Sequence, residues 1–173
     1  MGKNKIVTHL YESPCGMLMI GAYDNALCLC DWQIEGHSNH INSRLKRLLN
    51  ANFVFGESAT IDSAIHQLDE YFAGERTAFD IPLLFAGTDF QKLVWRYLLD
   101  IPYGKTISYS EMAERTGKPR AVRAVANANA SNAISIFAPC HRVIGSNNTL
   151  TGYGGGVETK RRLLRLEGIT IDK

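Results

Sequence analysis

Along residues 5–32 apolar and polar positions alternate, and turn formers interrupt the alternation at Ser13-Pro14 and Asp24-Asn25. A period of two bounded by such residues predicts three short antiparallel strands, near 5–11, 17–22 and 26–32. The period then lengthens. A polar loop leads into a helix near 39–50, and Ile61, Ala64, Ile65, Leu68 and Phe72 recur at helical spacing, with Thr60 as a cap and Gly74 as a stop. GERTAFDIPLLFAG, residues 74–87, reads as a connector. It places a domain boundary within 82–88 and divides the chain into 1–86, an α/β unit, and 87–173, a mainly helical one.

In the second unit Thr88 and Gln91 have the spacing of a capping box, and Phe90, Leu93, Val94, Tyr97 and Leu98 follow at helical period. IPYGKTI is a loop. Ser108 and Glu111 suggest a second capping box over a short helix that Gly117 ends. Pro119 suits the first turn of another helix, expected over 119–129. Two short helices joined by Thr-Gly-Lys-Pro make a helix-turn-helix candidate. The second of them, PRAVRAVANANA, sets Arg120 and Arg123 among small residues, which allow close approach to a duplex. An ordinary helical corner, packed tightly through alanine, has the same pattern.

Charge sharpens this division. Net charge is only +2, but residues 1–90 carry 6 Lys+Arg against 11 Asp+Glu, while residues 91–173 carry 13 against 6. The second unit is the one suited to a polyanion. No apolar run approaches the length of a membrane span. The four cysteines (Cys15, Cys28, Cys30, Cys140) form no regular disulfide framework and follow no evident secretory leader, so a cytoplasmic setting and a free Cys140 thiol are expected. Cys28-x-Cys30 is tighter than metal-ligand spacing and lies on one face of a strand. It reads as core rather than as a zinc site completed by Cys15, His9 or His66, and no metal is expected.

IFAPCHRVIG, residues 136–145, holds the candidate chemistry. A thiolate beside a histidine is a nucleophile beside a base. Neighbours in extended chain point to opposite sides, however, so contact between Cys140 and His141 requires a turn or a bridging water. On the dipeptide alone, a nucleophile, a cysteine hydrolase and a buried structural thiol all stay open. Downstream, TGYGGG (151–156) precedes a basic helix over about 157–166 that ends in LEG, with Glu167 opposing the helix dipole.

The combination is more specific than its parts. PCHRV, with ISYSEMA and RAV before it, an Asn eight residues upstream of the Cys, and GYGGG and LEG after it, resembles the O6-alkylguanine-DNA alkyltransferase family across 88–173. YFAGERTAFDIPL extends a looser resemblance into 1–87. The resemblance implies an RNase H-like N-terminal domain and a winged helix-turn-helix C-terminal domain. It implies a monomer that binds double-stranded DNA bearing O6-alkylguanine, or O4-alkylthymine, through the minor groove. The alkyl group passes irreversibly to the protein's own cysteine, once per molecule and without a cofactor. Carried over residue by residue, Cys140 is the acceptor, His141 the base acting through a water, and Glu167 its orienter. Asn132 braces the active-site turn. Tyr109 helps rotate the nucleotide and protonates guanine N3. Arg123 fills the base stack, with Arg120, Ala124 and Asn127 on the same DNA-facing segment. The Cys140 and Val143 carbonyls accept from the guanine amine, and Tyr153 and Gly154 close the pocket. Ala133 after Asn132, where many relatives have Pro, Ala126 where many have Gly, and Gly154 where some have Ser or Ala depart from the family pattern at positions that bear on substrate range and rate, not on the reaction.

Overall fold

A computed structural model describes residues 4–171. The chain divides between Gly87 and Thr88 into two compact units. In the first, β1 (Asn4–Ser13), β2 (Gly16–Tyr23) and β3 (Ala26–Trp32) pair antiparallel as the alternation predicts. At the β2–β3 bulge Gly21 is required sterically, since a Cβ there would meet Leu29 Cβ at 2.9 Å.

A further strand, β4 (Ala51–Phe55), lies parallel to β1 and completes the sheet order β3-β2-β1-β4. Its sequence, ANFVF, is too short and too lightly patterned to announce itself. Parallel pairing needs a crossover, which α1 (His37–Leu48) supplies between β3 and β4. The following helix, α2 (Ala59–Phe72), starts two residues earlier than Thr60 would cap it, because Ser58 accepts from the Ile61 N–H. It lays Ile61, Ala64, Leu68 and Tyr71 over the sheet, where Ile6, Leu18, Ile20, Leu27 and Leu29 are buried. The connector is not free chain at its middle. Leu27 N–H donates to Pro82 O and Leu84 N–H to Leu27 O.

The second unit begins with α3 (Asp89–Leu98), whose Thr88–Gln91 capping box closes in both directions. At α4 (Tyr109–Arg115) the expected box is half-formed. Ser108 accepts from the Glu111 N–H, but the Glu111 carboxylate turns to Arg115. Gly117, at φ +78, ends that helix. The next helix, α5 (Val122–Ala130), starts later than expected, because Lys118 O accepts from the Ala121 N–H in a separate turn that contains Pro119 and Arg120. Val125, Ala128 and Asn129 face inward, and Trp95 Nε1 donates to Ala128 O at 2.8 Å.

Two short strands, β5 (Ile107–Ser108) and β6 (Val143–Ile144), pair parallel. This ladder has a consequence for the site. It sets Tyr109, the residue after β5, beside the turn that precedes β6. The last helix, α6 (Val157–Leu166), matches its expected span.

Candidate active site

The approach to Cys140 is built from unusual turns. Ile136 sits at φ +74 while Phe137 N–H donates to Ser135 O, a γ-turn of the strained kind at a β-branched residue. At Pro139, φ −80 and ψ 68, Cys140 N–H donates to Ala138 O at 2.8 Å in an inverse γ-turn. The chain then enters a 3-10 turn over Cys140–Arg142.

Strain of this kind persists only where the surroundings overdetermine it, and Asn132 does much of that work. Its Oδ1 accepts from the Ile134 N–H at 3.0 Å. Its Nδ2 faces Ala138 O at 2.9 Å, Cys140 Sγ at 3.2 Å and Ile134 O at 3.4 Å. One buried amide thus holds the loop at both ends and donates to the sulfur itself. A donor to sulfur favours the thiolate.

His141 is buried on the same turn. Its Nε2 lies 2.6 Å from Glu167 Oε2. Glu167 is the C-cap of α6, and there the carboxylate is buried rather than solvated. Arg142 Nε donates to Oε1 at 2.8 Å, Arg142 Nη2 to Oε2 at 3.1 Å, and the Gly104 N–H to Oε1 at 3.2 Å. Burial alone would raise the Glu167 pKa, but the His141 and Arg142 contacts outweigh it and bring the value down to about 2. Burial lowers the His141 pKa, against the pull of Glu167. The pair therefore rests as carboxylate and neutral imidazole. An ionised Glu167 accepts from Nε2–H, which leaves the basic lone pair on Nδ1. That atom is buried and has no protein hydrogen-bond partner among the described residues.

Sequence reasoning missed Arg142, Lys160 and Asn129. Arg142 stood in view within PCHRV, yet nothing local shows that it forks onto a residue 25 positions away. Lys160 left a signal. It is in helical phase with Leu163, Leu164 and Glu167, on the buried face of α6, and it is 0% exposed. Its ammonium donates to Val143 O at 2.7 Å, Thr151 O at 3.1 Å and Tyr109 Oη at 3.4 Å. Asn129 Nδ2 donates to Cys140 O at 3.2 Å.

Tyr109 is nearly buried, and burial raises its pKa, so it rests as a phenol. Arg123, Ala124 and Asn127 form an exposed face of α5, with Arg120 exposed in the preceding turn. Val143 follows directly on the Cys140–Arg142 turn. Tyr153 and Gly154 are half-buried in a turn that the Gly156 N–H closes onto Tyr153 O. The structure thus gathers Cys140, His141, Glu167, Asn132, Tyr109 and Val143 at one place. Arg120, Arg123, Ala124 and Asn127 stand apart from them on a surface. Cys28 and Cys30 are core, and burial pushes the Cys28 thiol up to about 12.

Known proteins share both units. Residues 6–85 match the ribonuclease-like domain of 6-O-methylguanine DNA methyltransferase, and residues 89–169 match its DNA-binding domain. A methylated-DNA–protein-cysteine methyltransferase of Methanosarcina acetivorans is 42% identical over 159 residues, covering 92% of this chain and 96% of that protein. The protein of the same name from Mycobacterium tuberculosis is 55% identical over 111 residues, 64% of this chain and 67% of that one. The crystal structure of Mycobacterium tuberculosis OGT in complex with DNA superposes with a TM-score of 0.80 at 43% identity, covering 94% of this chain and 92% of that one. The chain belongs to the 6-O-methylguanine DNA methyltransferase family.

Proposed function

We propose that this protein repairs double-stranded DNA by taking the alkyl group of O6-alkylguanine onto Cys140, once per molecule. The observation that carries this reading is the buried His141–Glu167 hydrogen bond, which leaves His141 Nδ1 without a protein partner among the described residues, on the same turn as a sulfur that Asn132 bonds. In the step, Cys140 Sγ forms a bond to the alkyl carbon while the carbon–O6 bond breaks. The thiol proton passes through a water to His141 Nδ1. The electron pair released to the base is compensated by a proton from Tyr109 to guanine N3, and the phenol is restored from the imidazolium. Thiol plus alkylguanine becomes thioether plus guanine, which balances without a cofactor or metal. Nothing in the site hydrolyses a thioether, so the protein is spent.

O6 lies within the base stack, so the nucleotide leaves the duplex for attack. The exposed α5 face suits that task. Small residues allow close approach in the minor groove, and Arg123 is long enough to occupy the gap. The Val143 carbonyl takes the guanine amine, and the turn of Tyr153 and Gly154 closes over the alkyl group. The protein acts as a monomer of two domains joined at Gly87–Thr88, in a reducing cytoplasm, where its cysteines stay as thiols rather than disulfides.

The test is an oligonucleotide duplex bearing O6-methylguanine, followed by peptide mapping. One methyl on Cys140 and no more than one lesion removed per protein is the expected result. Unmodified Cys140 with intact lesion, or sustained turnover, contradicts it. Arg123→Ala is expected to slow repair in duplex more than reaction with free O6-benzylguanine.

A further inference from the structure

The reaction as written leaves Lys160 without a part. Its side chain is completely buried, yet it makes no ion pair among the described residues. A buried ammonium is costly unless its hydrogens are all satisfied. An ammonium has three hydrogens and no acceptor, and three oxygens surround Nζ: Val143 O, Thr151 O and Tyr109 Oη. They come from three separate elements, namely β6, the loop before α6, and the first residue of α4. The ammonium also lies 5.6 Å from the centre of the Tyr109 ring.

We propose that Lys160 is a specificity-determining positioning residue that fixes the Val143 carbonyl and the Tyr109 hydroxyl as a matched acceptor and donor for the 2-amino/N3 edge of the flipped purine. The inference rests on the reading given under Proposed function and assigns a part of it not yet accounted for.

Hydrogen-bond direction supplies the argument. Lys160 can only donate. By donating to Tyr109 Oη it occupies an acceptor position on that oxygen, so the phenolic hydrogen must point elsewhere. The Thr151 and Asn129 side chains beside the phenol oxygen also favour its anion. With donors on its oxygen, Tyr109 is left as a donor to whatever enters the pocket, and those same donors stabilise the phenolate when the proton leaves. Through the same ammonium, Val143 O is held at a fixed separation from Tyr109 Oη. On guanine the exocyclic amine and N3 are neighbours, one a donor and one an acceptor. A rigid acceptor–donor pair reads them together. A pair set at the wrong separation reads one or neither.

The experiment compares single-turnover rates on duplexes bearing O6-methylguanine or O6-methylhypoxanthine, which lacks only the 2-amino group. Methyl on Cys140 is confirmed by peptide mass in each case. The wild-type protein is expected to prefer the guanine lesion by at least about tenfold, as a site built to bond a polar group rejects the analogue without it. Lys160→Met keeps the length and removes the donors, and Lys160→Gln is the second variant should Met disturb folding. Either is expected to shrink the preference by about five- to tenfold, the worth of a lost directional hydrogen bond, while methyl still arrives on Cys140. Equal slowing of both lesions, with the preference intact, would show a merely structural lysine and overturn the proposal. So would unchanged rates on both lesions, or a wild-type protein with no preference. Failure of the wild-type protein to methylate Cys140 is a different outcome and overturns the underlying reading as well.

Discussion

Each unit of the molecule buries a carboxylate against a histidine, and the two pairs behave differently. In the first unit Asp31 Oδ1 meets His37 Nε2 at 2.8 Å, and in the second Glu167 Oε2 meets His141 Nε2 at 2.6 Å. Both carboxylates are fully buried. Glu167 has the Arg142 fork and a backbone N–H as well, so it is held ionised at about 2. Asp31 has no such fork, and its Oδ2 has no hydrogen-bond partner among the described residues. Burial therefore raises its pKa, with His37 and Arg44 only partly opposing. The histidines diverge accordingly. His37, 22% exposed, is pulled up by Asp31, whereas burial keeps His141 down. A carboxylate–histidine pair is thus a pin between β3 and α1 in one place and, in the function proposed above, the end of a proton relay in the other. The guanidinium beside the carboxylate, and the thiol on the histidine's own turn, make the difference.

The sharpest way to break this comparison is to delete each imidazole. His141→Ala is expected to slow alkyl transfer about 10²–10⁴-fold, the usual worth of a general base. His37→Ala should leave the single-turnover rate unchanged. Equal effects in a quench-flow measurement would refute the distinction. Stability separates the pairs next. Arg142→Met strands a buried Glu167 carboxylate and is expected to cost about 3–5 kcal/mol in denaturant unfolding. Asp31→Asn removes a charge that burial already disfavours and keeps an acceptor for His37, so it should stay within about 1 kcal/mol.

Acidity gives a subtler separation. The His141 pKa is lowered, so its contribution to folding is present above 6.5 and is lost as pH falls through its depressed value. Glu167 adds stability above 4.5 that is lost between there and about 2. His37 and Asp31 are both raised. Their contributions are present below 6.5 and 3.8 respectively and are lost as pH rises through the raised values. Each unit has its own buried tryptophan, Trp32 and Trp95. In Trp32→Phe, Trp95 fluorescence should report a midpoint that falls between pH 6.5 and 4.5. In Trp95→Phe, Trp32 should report none of that loss. The smallest effect concerns Lys160, which burial brings down to about 8. It sheds its proton above that pH, and the preference for O6-methylguanine over O6-methylhypoxanthine should then decline, read from rate ratios at pH 7 and 9.

The same contrast explains what could be read in advance. Elements whose signal is local were legible: three alternating strands, the Thr88 capping box, and α6 over its full length. Elements that depend on a distant partner were not. ANFVF becomes a strand only because β1 offers an edge. The late start of α5 has a local cause instead, the Lys118–Ala121 turn just before it. At the site, PCHRV marked the cysteine and histidine, and LEG an acid whose position opposed its helix dipole. The burial of that acid, and the guanidinium that makes burial tolerable, involve side chains separated by 25 residues.

By itself the sequence determined the family, the cysteine, the histidine and the helical frame, because these are written in residue type and spacing along a continuous segment. Only the tertiary structure decided the pKa shifts of His141 and Glu167, the strained entry into Cys140, and the burial of Lys160 among three carbonyl and hydroxyl oxygens. Protonation and hydrogen-bond direction depend on local dielectric and on neighbours brought together from distant parts of the chain. Neither exists until the chain has folded.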